Sequence, residues 1–196
     1  DRIRRFSVAY GKANENFYAR LMASRIPWSI VAIPCEAWAK KVFPGKSGEE
    51  AVKLLWEAIF KTVRIREGGD AVAEWTAHCQ QLIDQAKKLN DYKFAALRYE
   101  NAPGTRLTVE LPEGYLFAGG SEKDARGVDF IANMPTEEVF SAPKRDGVNG
   151  VVYSSKPLVL NGNLVEGIRL TFENGRIVDA KAERGEEYLR AEIDID

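Results

Sequence analysis

Apolar residues recur at helical spacing through the first half of the chain and at alternate positions through much of the second. Across residues 3–24, Phe6, Tyr10, Phe17 and Leu21 keep roughly a 3.6-residue period that Gly11 interrupts, which predicts one weakened helix or two shorter ones. The run Ile26–Pro34 is apolar and bounded by prolines, and predicts a short buried strand; Glu36–Val42 predicts a short helix. Ser47, followed by Glu49 and Glu50, marks a helix start, because a hydroxyl can accept from a free N–H of the first turn and acids there meet the positive end of the helix dipole. The face of that helix is Val52, Leu55, Trp56, Ile59 and Phe60. Asp70 caps a longer helix to about Asn90, with Val72, Trp75, Cys79, Leu82, Ile83, Ala86 and Leu89 on one side.

Beyond Ala95 the period falls to two. Residues 95–99, 106–112 and 115–119 read as strands, the last pair joined by a Pro-Glu-Gly turn, and further strands are expected at 151–154, 164–172 and 176–182. Glu173-Asn174-Gly175 between the final two is a hairpin signal, since Asn and Gly tolerate the left-handed backbone such turns demand. Ile168, Leu170 and Phe172 alternate with Arg169 and Thr171, which predicts one buried face. A helix is expected over 185–191. The fold class is α+β: a mainly helical segment 1–94 with one short strand, packed on a β-rich, partly barrel-like or meander segment 95–196.

Composition narrows the function. The chain has 196 residues, 45% of them hydrophobic, with 28 Lys+Arg against 29 Asp+Glu. The near-neutral balance lacks the basic footprint of a nucleic-acid binder. No apolar run approaches the roughly 18 residues that a membrane helix needs. Cys35 and Cys79 stand far apart in sequence and suggest no disulfide framework, so a reducing cytoplasm fits. Residues 1–100 are net basic and residues 101–196 net acidic, a bias compatible with cations or with a solvated β domain.

One histidine, His78, is present, so HExxH zinc sites and multi-histidine clusters cannot be built from these residues alone. On its helix His78 reads as a packing or surface residue, and both cysteines as small core residues. Gly119-Gly120 and Gly127 read as a surface loop, because no phosphate-loop Lys-Ser/Thr follows. The segment Asn133-Met134-Pro135-Thr136-Glu137-Glu138-Val139-Phe140 admits two readings. In one, Thr136 caps a helix and the glutamates fill its first turn. In the other, adjacent carboxylates on a proline-anchored turn give a hard oxygen ligand to a divalent cation.

PWSIVAIPCEAWAKKVFPG (27–45), the helix at 49–60, PGTRLTVELPEGYLFAGG (103–120), NMPTEEVFSAP (133–143), SSKPLVLNGNLVEG (154–167) and AERGEEYL (182–189) together resemble the thermophilic-type metallo-aminopeptidases, the aminopeptidase T, aminopeptidase S and PepS group. The blocks keep the family's order through most of the chain. The resemblance implies a cytoplasmic, homodimeric exopeptidase that removes N-terminal residues from peptides with two divalent metal ions, Zn, Co, Mn or Mg. It also implies that TEEVF carries a metal-ligating glutamate, one of Glu137 and Glu138 and here assigned to Glu138, with Glu137 then orienting it or acting as general base. The remaining ligands of the family, a glutamate, two histidines and an aspartate, belong to blocks beyond AERGEEYL, so this stretch reads as the centre of a longer enzyme and as inactive by itself. The alternative is a non-catalytic binding or oligomerisation module descended from the peptidase. Four positions depart from the family pattern: Arg106 where Asp is usual, Glu110 where Gly is common, and Tyr115 and Lys144 where His is frequent.

Overall fold

A computed structural model describes residues 2–193. In chain order the elements are α1 (Arg2–Ala13), α2 (Glu15–Met22), β1 (Ile30–Val31), α3 (Glu36–Val42), α4 (Gly48–Thr62), α5 (Ala71–Tyr92), β2 (Ala96–Glu100), β3 (Arg106–Glu110), β4 (Ala118–Gly119), β5 (Glu122–Lys123), β6 (Asp129–Phe130), β7 (Asn133–Met134), β8 (Val139–Phe140), β9 (Val148–Tyr153), β10 (Leu158–Leu160), β11 (Asn163–Val165), β12 (Arg169–Glu173), β13 (Arg176–Lys181) and α6 (Glu186–Ile193). The class is α+β, as the change of period predicts.

The compact units do not follow the expected boundary near residue 94. Among the described residues, one is built from residues 2–13, 89–116 and 141–193, the other from 14–88 and 117–140. The TEEVF segment therefore belongs with the helices, not with the large sheet. The chain leaves the sheet after β3, contributes short strands to the helical unit, and returns at residue 141.

The sheet unit centres on five antiparallel strands in the order β13-β12-β9-β3-β2. Its ends are β13 and β2, so it is an open meander and no barrel closes among the described residues. Asn174 and Gly175 both take positive φ (50° and 77°), and Glu173 pairs with Arg176, giving the two-residue hairpin expected between β12 and β13. The same turn recurs at Asn161-Gly162, with φ of 50° and 83°, and joins β10 to β11; the expected strand 164–172 is divided into β11 and β12 around Gly167, whose φ is 63°. Val165, Ile168, Ala180 and Leu189 form the core of this unit, flanked by Leu170 and Ile177. Leu189 brings α6 onto that core. The Pro112–Gly114 turn forms, with Tyr115 N–H on the Pro112 carbonyl, but it closes no hairpin, because β3 pairs with β2 and β9 instead.

In the helical unit, the Ser47 hydroxyl accepts from Glu50 N–H at 3.2 Å, and Asp70 Oδ1 accepts from Val72 and Ala73 N–H, both at 3.0 Å. Both predicted caps are thus in place. Ala39 of α3 meets Ala51 and Leu55 of α4, where small side chains let the helices approach closely. The predicted α5 stripe is buried at Trp75, Cys79, Leu82 and Ala86, but Val72 and Ile83 lie outside it. Three expectations fail here. Ile30 and Val31 are exposed (62% and 52%), because β1 has a single strand neighbour, the parallel β7. Cys35 is exposed. Gly119 and Gly120 are not a loose loop: Gly119 pairs with Val139, and Gly120 lies against the Cys79 carbonyl of α5.

Candidate functional site

The segment 133–140 is fixed at both ends by strand pairing. Asn133 and Met134 pair in parallel with Ile30 and Val31, and Val139 and Phe140 pair antiparallel with Gly119 and Ala118. No helix begins at Thr136, so the capping reading of Thr136, Glu137 and Glu138 is overturned. Two pairings with residues distant in sequence outweigh a local preference worth about 1 kcal/mol.

The helices supply the next layer. At the end of α4, Ile65 N–H donates to the Phe60 carbonyl at 2.8 Å and Arg64 N–H to the Lys61 carbonyl at 3.4 Å. This Schellman arrangement puts Arg64 in the left-handed region, φ 56°, a place that usually falls to glycine. From there the guanidinium forks onto Glu137, Nη1 to Oε1 and Nη2 to Oε2, the latter at 2.8 Å. The guanidinium carbon also lies 5.9 Å from the centroid of the Trp75 ring. Trp75 is itself held by its Nε1–H on the Val63 carbonyl at 2.8 Å.

His78, one turn along α5 from Trp75, reaches the same segment. Its Nε2 lies 2.7 Å from the Thr136 carbonyl and 3.6 Å from Glu137 Oε2. A carbonyl can only accept, so Nε2 carries the proton. From sequence His78 reads as a packing or surface residue; it is buried and touches the motif directly.

The two glutamates are therefore unequal. Glu137 has both oxygens engaged, and the Arg64 hydrogen bonds and charge hold its carboxyl below the usual carboxylate range. A carboxylate held in this way is a weak proton acceptor, whereas a general base works best with a pKa near the operating pH. Glu138 is exposed, and no side-chain hydrogen bond or ion pair engages its carboxylate among the described residues. Its main-chain carbonyl passes so close to Gly119 that a Cβ there would sit 2.9 Å away.

Glu138 is a hard oxygen donor, the kind that divalent cations of this class take. Among the described residues no group of three or more His, Cys, Asp or Glu could hold a metal ion. Within this motif Glu138 offers one such donor. The four departures from the family pattern all lie in the sheet unit, and two of them meet: Lys144 Nζ donates to Glu110 Oε2 at 3.0 Å. No helix of the described residues is long and apolar enough to cross a membrane. Arg64 was missed from sequence; its only signal is that no glycine directly follows the end of α4 at Thr62.

Comparison with known proteins places these features in context. A family model described as thermophilic metalloprotease (M29) matches residues 1–196. The chain is 47% identical over 195 residues to aminopeptidase AmpS of Bacillus subtilis (strain 168), covering 100% of this chain and 47% of that protein. It is 43% identical over 196 residues to aminopeptidase T of Thermus aquaticus, covering 48% of that protein. Among solved structures, wild-type AmpT from Thermus thermophilus superposes with a TM-score of 0.77 at 46% identity, over 86% of this chain and 41% of that one. The chain spans about half the length of the curated relatives it matches.

Proposed function

Because the chain belongs to the thermophilic metalloprotease (M29) family, we propose that residues 1–196 are the central part of a cytoplasmic, homodimeric aminopeptidase that removes N-terminal residues from peptides, and that Glu138 is a ligand to one of its two divalent metal ions. The observation that carries this reading is the asymmetry of the motif: Glu137 is tied to Arg64 while the neighbouring Glu138 carboxylate is exposed and uncommitted. A carboxylate on a backbone fixed by strand pairing on both sides is a ligand whose main chain needs no ordering on binding, which lowers the ordering cost.

Joined by imidazoles and further carboxylates from outside this stretch, such a ligand suits Zn, Co, Mn or Mg. When bound, two such ions supply Lewis acidity toward the scissile carbonyl and toward a water molecule. This chain's residues act before that chemistry. Glu138 contributes negative charge, and Glu137 keeps the segment oriented without itself taking a proton. One carboxylate cannot hold a metal pair, so residues 1–196 alone are inactive.

The test has two arms. Residues 1–196 alone, supplied with Co or Zn, are expected to leave leucyl-p-nitroanilide intact; clear metal-dependent turnover refutes the incompleteness of the site. In the intact enzyme, Glu138→Gln is expected to abolish hydrolysis and lower metal content while the circular-dichroism spectrum is unchanged. Full metal content in that variant overturns the ligand assignment.

A further inference from the structure

We infer that Arg64, His78 and Glu137 form a clamp that positions Glu138 for metal binding. The inference rests on the reading of Glu138 as a ligand and adds three positioning residues to it.

Arg64 is the telling element. A left-handed backbone costs a non-glycine residue about 1–2 kcal/mol, and α4 could end on glycine at no such cost. An exposed ion pair is a poor return for that strain, since such pairs are typically worth at most about 1 kcal/mol. Here, however, the left-handed turn is what aims the guanidinium back at residue 137, with Trp75 beside it. Ser24 and Lys93 past the ends of α2 and α5 take the same conformation, so it is the two-pronged contact with Glu137 that sets Arg64 apart.

The clamp grips the segment at two adjacent points from two different helices. His78 on α5 holds the Thr136 carbonyl at 2.7 Å, and Arg64 at the end of α4 holds the Glu137 carboxylate by a two-pronged contact. On the far side of Glu138, Val139 is paired with Gly119, whose missing side chain makes room for the Glu138 carbonyl. Residues 136, 137 and 139 are thus all anchored, and residue 138 has little freedom except in its own side chain. Metal ligands need that precision, because displacements of about 0.5 Å already degrade a site.

The experiment uses the intact enzyme, stripped of metal and titrated with Zn2+ by calorimetry, alongside the melting temperature of the metal-free protein. Glu137→Gln and Arg64→Met are each expected to raise the Zn2+ dissociation constant about 10- to 100-fold, as loss of an outer-shell partner does. The double variant should be no worse than the weaker-binding single, because both remove the same contact. Glu138→Gln, the control for the underlying reading, should lose one Zn2+ equivalent altogether. Wild-type Zn2+ affinity in Glu137→Gln and Arg64→Met, with Glu138→Gln still defective, overturns the clamp and leaves the ligand reading standing. Wild-type affinity in Glu138→Gln overturns both. If Arg64→Met fails to fold, Glu137→Gln decides, since it keeps the side chain's shape on a half-exposed residue. A lowered melting temperature with unchanged affinity marks a purely structural contact and also overturns the proposal.

Discussion

The indole N–H of Trp75 donates to the carbonyl of Val63 at 2.8 Å, tying α5 to the end of α4 one residue before Arg64. Both residues are buried, together with Cys79, under Ile131 and Met134. Replacing Trp75 by Phe keeps an aromatic ring but leaves the Val63 carbonyl without its donor, at a cost of about 1–3 kcal/mol. For a chain of this size that lowers the melting temperature by about 2–4 °C per kcal/mol. Thermal denaturation followed by circular dichroism measures it; an unchanged transition refutes the role of this bond.

Gly119→Ala is expected to act on the metal site through packing. The new methyl would meet the Glu138 carbonyl and the Val139 side chain, so β8 must shift. In the intact enzyme Zn2+ affinity should fall while the far-UV spectrum holds. Equal affinity in calorimetry would show that the β4–β8 pair gives without moving Glu138.

Asp124 organises the β5–β6 turn. Its Oδ1 accepts from Arg126 and Val128 N–H at 2.8 and 2.9 Å, and its Oδ2 takes the Arg126 guanidinium. The Val128 N–H bond foremost, with Arg126 adding, pulls the Asp124 pKa down. Its contribution to stability is therefore complete above the ordinary aspartate range, about pH 4, and is lost as pH falls from there through the lowered folded value. Asp124→Asn should be less stable at neutral pH, with the gap from wild type closing below about pH 4. Urea denaturation at several pH values tests this, and a gap independent of pH counts against it.

Gly175→Ala should destabilise the sheet unit strongly. The residue sits at φ 77° and faces the Arg145 carbonyl, so an added methyl collides with main chain in addition to the left-handed penalty of about 1–2 kcal/mol. A melting temperature close to wild type would contradict the turn described for residues 173–176.

The two cysteines should differ in reactivity. Cys35 is exposed, whereas Cys79 is buried and burial pushes its thiol pKa up. Mass spectrometry after brief treatment of the native protein with a thiol reagent should find Cys35 modified and Cys79 intact. Equal labelling of both would require α5 to open.

What was legible in the sequence was local. Ser47, Asp70 and Asn174-Gly175 announce themselves because a cap or a hairpin turn is decided within four residues, and each is where it was expected. The motif was legible as well, through its resemblance to a family. Its surroundings were not. Arg64 and His78 lie 73 and 58 residues from their partners Glu137 and Thr136, and no periodicity links them. The same gap explains the helix expected after Thr136: the local capping pattern is sound, but pairing with Ala118 and Gly119 takes the backbone elsewhere. Ile30 and Val31 misled for the opposite reason, since an apolar run does not say how many neighbours a strand will find.

The interleaving of the two units has a consequence for biosynthesis. Residues 14–88 leave the ribosome before residues 117–140, and Trp75 and Cys79 then wait for Ile131 and Met134 before they are covered. In that interval Val63, Trp75 and Cys79 lack the cover of Ile131 and Met134, while β2 and β3 emerge before the strands that close the unit. The helical unit can therefore complete its core only after residue 140 has been synthesised.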